Sequence, residues 1–142
     1  MGSMQPGLSF EEFMEQARSE TEVSEDCEMY KATQTIGGKW RMLVMYQLSK
    51  KDSFRFGELQ KSLPNITKSM LSTALRELEE NGLVSRTQYN EIPPRVEYSL
   101  TGKGRGLFPI FYDLYVWMSD YPPTGHRPRK SLNGMTVQSL HP

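Results

Sequence analysis

Ser69, Ser72, Thr73 and Arg76 are spaced i, i+3, i+4 and i+7, so on a helix they form one stripe. Lys68 lies beside that stripe and Thr67 stands at its N-terminal end. The set holds short hydroxyls and long bases, and the first acid, Glu77, comes only in the last turn. Such a face suits the edges of nucleic-acid bases. Arg can bridge the two acceptors of guanine, and Ser or Thr can contact any base. The free N–H groups at the start of the same helix favour phosphate. The competing reading is a solvated face on an ordinary core helix.

Three further bases fall where a nucleic acid could be held. Lys39 opens an apolar helix, Arg55 precedes a short helix, and Arg95 follows the stiff Pro93-Pro94 pair. Lys39 and Arg55 are candidates for phosphate contacts that position a protein without reading sequence. Arg95 is a candidate for a narrow minor groove. Other chemistries have little to work with. The two histidines, His126 and His141, both lie near the end of the chain. No acid pair or phosphate-binding loop stands out, so we expect no enzyme activity, no metal and no cofactor. Cys27 is the single cysteine, which excludes an internal disulfide or a cysteine-rich zinc site and suits a reducing cytoplasm.

The elements that would position these residues follow from periodicity. Residues 8–20 predict a short amphipathic helix with Ser9 and Glu12 as a capping box. A second helix runs from Cys27 to Ile36 and is broken at Gly37-Gly38. Residues 39–49 predict a helix apolar on most sides, and hence central. Phe54 to Phe56 reads as a short strand and 57–63 as a two-turn helix. Residues 66–81 form the clearest helix, capped by Thr67, with Met70, Leu71, Ala74, Leu75 and Leu78 inward and Gly82 as its stop. Strands at 84–89 and 95–100 flank a tip at 90–94. A final helix runs from Thr101 to about Tyr121, with Pro109 marking a kink or a late start. This order is that of a winged helix: mainly α, with a helix-turn-helix followed by a small β-hairpin.

Charge is unevenly spread. The 142 residues carry 17 basic and 17 acidic side chains, and a neutral total argues against nucleic acid as a partner. However, residues 1–26 hold seven of the acids and one base, whereas 27–121 hold thirteen bases and ten acids. Residues 122–142 add three bases and no acid. An acidic segment masks a basic body and tail, an asymmetry that points back towards nucleic acid. We therefore divide the chain into an acidic N-terminal helix and connector at 1–26, a DNA-binding domain at 27–121 and a flexible basic tail at 122–142. Residues 1–3 look like a cloning remnant ahead of Met4, and no apolar run is long enough to span a membrane.

Several runs occur in order: Gly37-Gly38-Lys39-Trp40, Arg55-Phe56-x-Glu58-Leu59, Leu71-x-x-x-Leu75-Arg76-x-Leu78-Glu79-x-x-Gly82-Leu83-Val84-x-Arg86, and Pro93-Pro94-Arg95-Val96-Glu97-Tyr98-Ser99-Leu100-Thr101-x-x-Gly104. With Cys27 ahead of them, they resemble the HxlR-type branch of the MarR-like winged-helix transcription regulators, over about residues 27–121. The resemblance implies a prokaryotic, cytoplasmic homodimer that binds an inverted-repeat operator in double-stranded DNA. Within the motifs, Trp40 and Tyr98 are expected core anchors, and Glu58 and Glu97 are candidate partners for Arg55 and Arg86.

The resemblance also assigns Cys27 as a sensor of oxidants or electrophiles. A helix N-terminus and Lys31 would favour its thiolate. The neighbours Glu25, Asp26 and Glu28 oppose it, and Glu28 stands where the family frequently has proline. The alternative is a small apolar residue near a dimer interface. Dimerisation through the terminal helices is expected from Phe10, Phe13 and Met14 and from Phe108, Phe111, Leu114, Tyr115, Trp117 and Met118, since the last helix is apolar on more than one side. Two other functions remain open: a regulator with a small-ligand pocket at the dimer helices, and a winged-helix module for protein contact.

Overall fold

The structure is a computed structural model that describes residues 7–123. The proposed remnant at 1–3 and most of the basic tail, including both histidines, lie outside the described residues. The chain divides into two compact units after Gly104.

The first unit starts with α1 (Phe10–Ser19), α2 (Glu28–Ile36) and α3 (Lys39–Leu48). The expected capping box opens α1. Glu12 N–H donates to Ser9 Oγ at 3.2 Å, and Ser9 N–H donates to Glu12 Oε2 at 2.7 Å, so two otherwise unpaired donors are satisfied reciprocally. Gly37 and Gly38 separate α2 from α3. Gly38 takes φ +92°, a conformation that disfavours any side chain. A Cβ on Gly37 would lie 2.1 Å from the Thr33 carbonyl oxygen.

After α3 come β1 (Phe54–Arg55), α4 (Phe56–Ser62) and α5 (Lys68–Glu80). Thr67 caps α5, its Oγ1 accepting from Met70 N–H at 3.1 Å. Leu71, Ala74, Leu75 and Leu78 of α5 are buried. They form one core with Val44, Met45 and Leu48 of α3, Leu59 of α4, and Leu63, Ile66, Leu83, Val84 and Leu100. Each fully buried aliphatic side chain contributes about 1.5–3 kcal/mol, and this single cluster fixes the angle between α4 and α5. At the end of α5, Gly82 has φ +73°, as its place after the last turn predicts.

β2 (Val84–Tyr89) and β3 (Arg95–Leu100) form the hairpin. Their antiparallel register pairs Val84 with Leu100, Arg86 with Tyr98 and Tyr89 with Arg95. β1 joins the other side of β3, pairing Phe54 with Tyr98 and Arg55 with Glu97, so the sheet has the order β1-β3-β2. The hairpin is tied to α5 at its base, where Thr101 Oγ1 donates to Gly82 O at 2.6 Å.

Several expectations are corrected. Phe56 belongs to α4 rather than to a strand. The central helix α3 is not apolar-buried all round, because Leu43 and Tyr46 are about half exposed. Met70 also faces outward, since its place one turn into α5 projects past the edge of the core. Trp40 and Tyr98 are only half-buried. The final helix is divided into α6 (Gly102–Arg105), which runs up to the boundary of the two units, and α7 (Phe108–Asp120), in the second. Pro109 sits in the first turn of α7, where its missing N–H has no intrahelical acceptor to lose, so it marks a late start and not a kink.

Candidate nucleic-acid interface

The α5 stripe emerges as the periodicity predicts. Lys68, Ser69, Ser72 and Arg76 are exposed and Thr73 is half-buried. Arg76 is held only loosely, its Nε lying 3.9 Å from Glu80 Oε1 one turn on. A groove of about 310 Å³ runs between the start of α3 and this helix, lined by Gly38, Lys39 and Trp40 on one side and Ser69, Met70 and Thr73 on the other. Lys39, distant in sequence, is thus brought beside the hydroxyl stripe. Its ammonium rests 4.8 Å from the centre of the Trp40 ring, a contact that orients it without neutralising it.

The wing is arranged differently from the simplest expectation. Arg95 does not extend from the tip. It lies over the Tyr89 ring at 4.1 Å, with Glu91 at 3.3 Å and Glu97 at 3.5 Å. Strand alternation explains this, because Tyr89 faces Arg95 across the hairpin and Glu97 is two residues on, along the same face. At the tip, Ile92 is fully exposed. The pairing anticipated for Glu58 and Glu97 with Arg55 and Arg86 does not form. Glu97 instead accepts from Ser53 and pairs with Arg95. Glu58 pairs with Lys51 and accepts the Arg55 N–H at 3.1 Å. These two contacts lower the Glu58 carboxyl below its ordinary value, the Lys51 hydrogen bond being the larger cause. Lys39, Arg55, Lys68 and Arg86 are all exposed, and none forms an ion pair among the described residues. Arg86, expected only as the partner of an acid, instead leaves its charge on the surface of β2.

A second feature escaped the sequence reading. Arg41 Nε donates to Glu77 Oε2 at 2.7 Å, with Nη2 2.5 Å from the same oxygen, while Nη1 donates to the Gln34 main-chain oxygen at 2.5 Å. This joins α3, α5 and α2, and Arg41 and Glu77 line the groove. The signal available was Glu77 at the end of the polar stripe, but its partner is 36 residues away.

Cys27 is the N-cap of α2, with its N–H on Ser24 O at 3.0 Å. Lys31 pairs with Glu28 at 3.4 Å. The half-buried Cys27 lines a cavity of about 210 Å³ together with Phe13, Ala17, Val23 and Met29 and with the polar Glu20, Thr21 and Glu22. In α1, Phe10 is half exposed, while Phe13 and Met14 are half-buried. In α7, Ile110, Leu114, Trp117 and Met118 form one exposed apolar stripe, with Tyr115 also exposed and Phe108 and Phe111 half-buried.

The family model for the HxlR-like helix-turn-helix matches residues 35–126. The Bacillus subtilis HTH-type transcriptional regulator YkvN is 50% identical over 88 residues, covering 62% of this chain and 74% of that protein. The redox regulator HypR in its oxidised form is 39% identical, with a TM-score of 0.63 over 69% of this chain and all of that one. The reduced form of the transcriptional regulator YodB from B. subtilis is 32% identical, with a TM-score of 0.63 over 70% of this chain and 96% of that one. All three are regulators by name. With the winged helix in place and the match spanning it, the chain belongs to the HxlR-like helix-turn-helix family of transcription regulators.

Proposed function

We propose that this regulator works as a cytoplasmic homodimer on an inverted-repeat operator, with α5 in the major groove and the β2–β3 wing against the adjacent backbone. The observation that carries this reading is the α5 face: Lys68, Ser69, Ser72, Thr73 and Arg76, hydroxyl and basic, beside Lys39 across one groove. A protein-contact module would present an apolar or acidic face there. Thr67 sets the first turn of α5, and Lys39 and Arg55 hold phosphates. Arg95 supports the wing and screens Glu91 and Glu97 from DNA. The body at 27–121 is the DNA-binding part, the acidic segment at 1–26 precedes it, and the tail beyond it adds non-specific attraction. No helix among the described residues is long and apolar enough to cross a membrane.

The exposed α7 stripe supports dimerisation, since a contiguous apolar surface of this kind marks an interface. Phe10, Phe13 and Met14 of α1 are the second contribution. Paired subunits would place two α5 helices about one DNA turn apart. Cys27 is the sensor in this reading, beside a mostly apolar cavity, and two similar proteins are redox-responsive by name or treatment: HypR, and YodB, whose diamide-treated form is also known. With one cysteine per chain, oxidation proceeds through an intersubunit or mixed disulfide, or an electrophile adduct. Operator binding by wild type and Cys27→Ser, each with and without diamide, tests this. A response in wild type alone supports the sensor, and identical behaviour removes it.

A further inference from the structure

Arg41 uses its whole guanidinium to join three helices. Nε and Nη2 close on Glu77 of α5, and Nη1 caps the Gln34 carbonyl in the last turn of α2. That carbonyl is one of the four at a helix end that lack an intrahelical partner, and a cation there is favoured by the helix dipole. The ion pair is mostly shielded, with 22% and 31% of the two side chains exposed, so water and salt weaken it less than a surface pair. By contrast, α2 buries none of its residues completely. α3 packs broadly against α5, whereas α2 has no packing of that extent with either. The Arg41 node is therefore a large share of what ties α2 to the DNA-reading helix. Glu77 lies one turn beyond Thr73 on the same groove wall, so a displacement of Arg41 reaches the proposed contact face.

We propose that Arg41 is a positioning residue that couples α2, and with it the Cys27 end of that helix, to the recognition helix α5. This rests on α5 reading DNA, as set out above. Lysine could keep the charge on Glu77. Its single ammonium on a flexible stem cannot hold both the carboxylate and the Gln34 carbonyl in the fixed geometry of the guanidinium fork. Because coupling is reciprocal, occupancy of α5 by DNA must steady α2, and a change at the start of α2 must alter the affinity of α5.

The test is hydrogen exchange of the full-length protein, with and without an operator duplex selected from a random pool. In wild type, DNA slows exchange of the α2 amides by roughly fivefold or more. In R41K that slowing is lost, while R41K stays folded by thermal melting and still binds the operator. E77A removes the acceptor, cuts the same link from α5 and gives the same loss. A wild-type α2 indifferent to DNA overturns the proposal, as does an R41K α2 that responds fully. Diamide provides the second arm. If it alters wild-type affinity, it leaves R41K affinity unchanged although Cys27 is modified to the same extent by mass. An equal diamide response in R41K also overturns the coupling. If diamide does nothing to wild type, the sensor role of Cys27 falls, and the exchange result still decides the Arg41 link.

Discussion

Arg76→Ala separates base reading from folding more cleanly than any other substitution in α5. The side chain is two-thirds exposed, and its only ion pair among the described residues is a 3.9 Å contact with Glu80. An exposed i, i+4 pair of this kind is worth about 0.3–0.5 kcal/mol, and alanine is the better helix former. Thermal stability should therefore change by less than about 0.5 kcal/mol. On DNA, loss of a bidentate guanine contact costs about 1–3 kcal/mol. Two half-sites double this to about 2–6 kcal/mol per dimer, an affinity loss of at least roughly 30-fold. Fluorescence anisotropy with the selected operator and with a scrambled duplex, at two salt concentrations, measures it. A base-reading arginine loses far more on the operator than on the scrambled DNA. A phosphate-binding one weakens both about equally and reduces the salt slope. Operator affinity within twofold of wild type, or equal losses on both duplexes, would refute base reading by Arg76.

Arg95→Ala uncovers Glu91 and Glu97 and removes the Tyr89 contact. It should weaken operator binding, most strongly at low salt, and Arg95→Ala combined with Glu91→Gln should recover part of the loss in the same titration. Leu75→Ala empties a site in the fully enclosed α3–α5 core and should cost about 2–5 kcal/mol of stability in denaturant unfolding. Thr67→Ala removes the α5 cap and should cost about 0.5–2 kcal/mol, with a matching fall in Tm. Because the Glu58 carboxyl is lowered in the folded state, its contribution is present above its unfolded value and is lost as pH falls through the folded one. Glu58→Gln should therefore flatten the acid limb of stability below the ordinary glutamate range, which melting across that range would show.

What was legible before folding was what depends on local period. The α5 face, its Thr67 cap, the Gly82 stop and the hairpin all follow from spacings of a few residues. What was not legible depends on partners brought together from afar. Arg95 sits between acids and Tyr89 because the hairpin register sets its neighbours, and an arginine beside a proline tip carries no sign of this. Glu58 chose Lys51, and Arg41 chose Glu77 across α3 and α5, for the same reason. The exposed Leu43 and Tyr46 show the converse limit. A helix apolar on most sides in sequence can still leave one side exposed when α4, α5 and β3 cover only the other.

In a chain whose net charge is zero, bulk attraction to DNA is modest, and the proposed reading by the α5 stripe draws its specificity from base contacts and shape. Selection of bound fragments from a random duplex pool by the full-length wild-type protein tests this most directly. The expected product is an inverted repeat whose half-site centres lie about one helical turn apart, with Arg76→Ala relaxing the preference at one position in each half. Recovery of sequences with no shared half-site, or of a preference that Arg76→Ala leaves intact, would contradict a recognition role for α5.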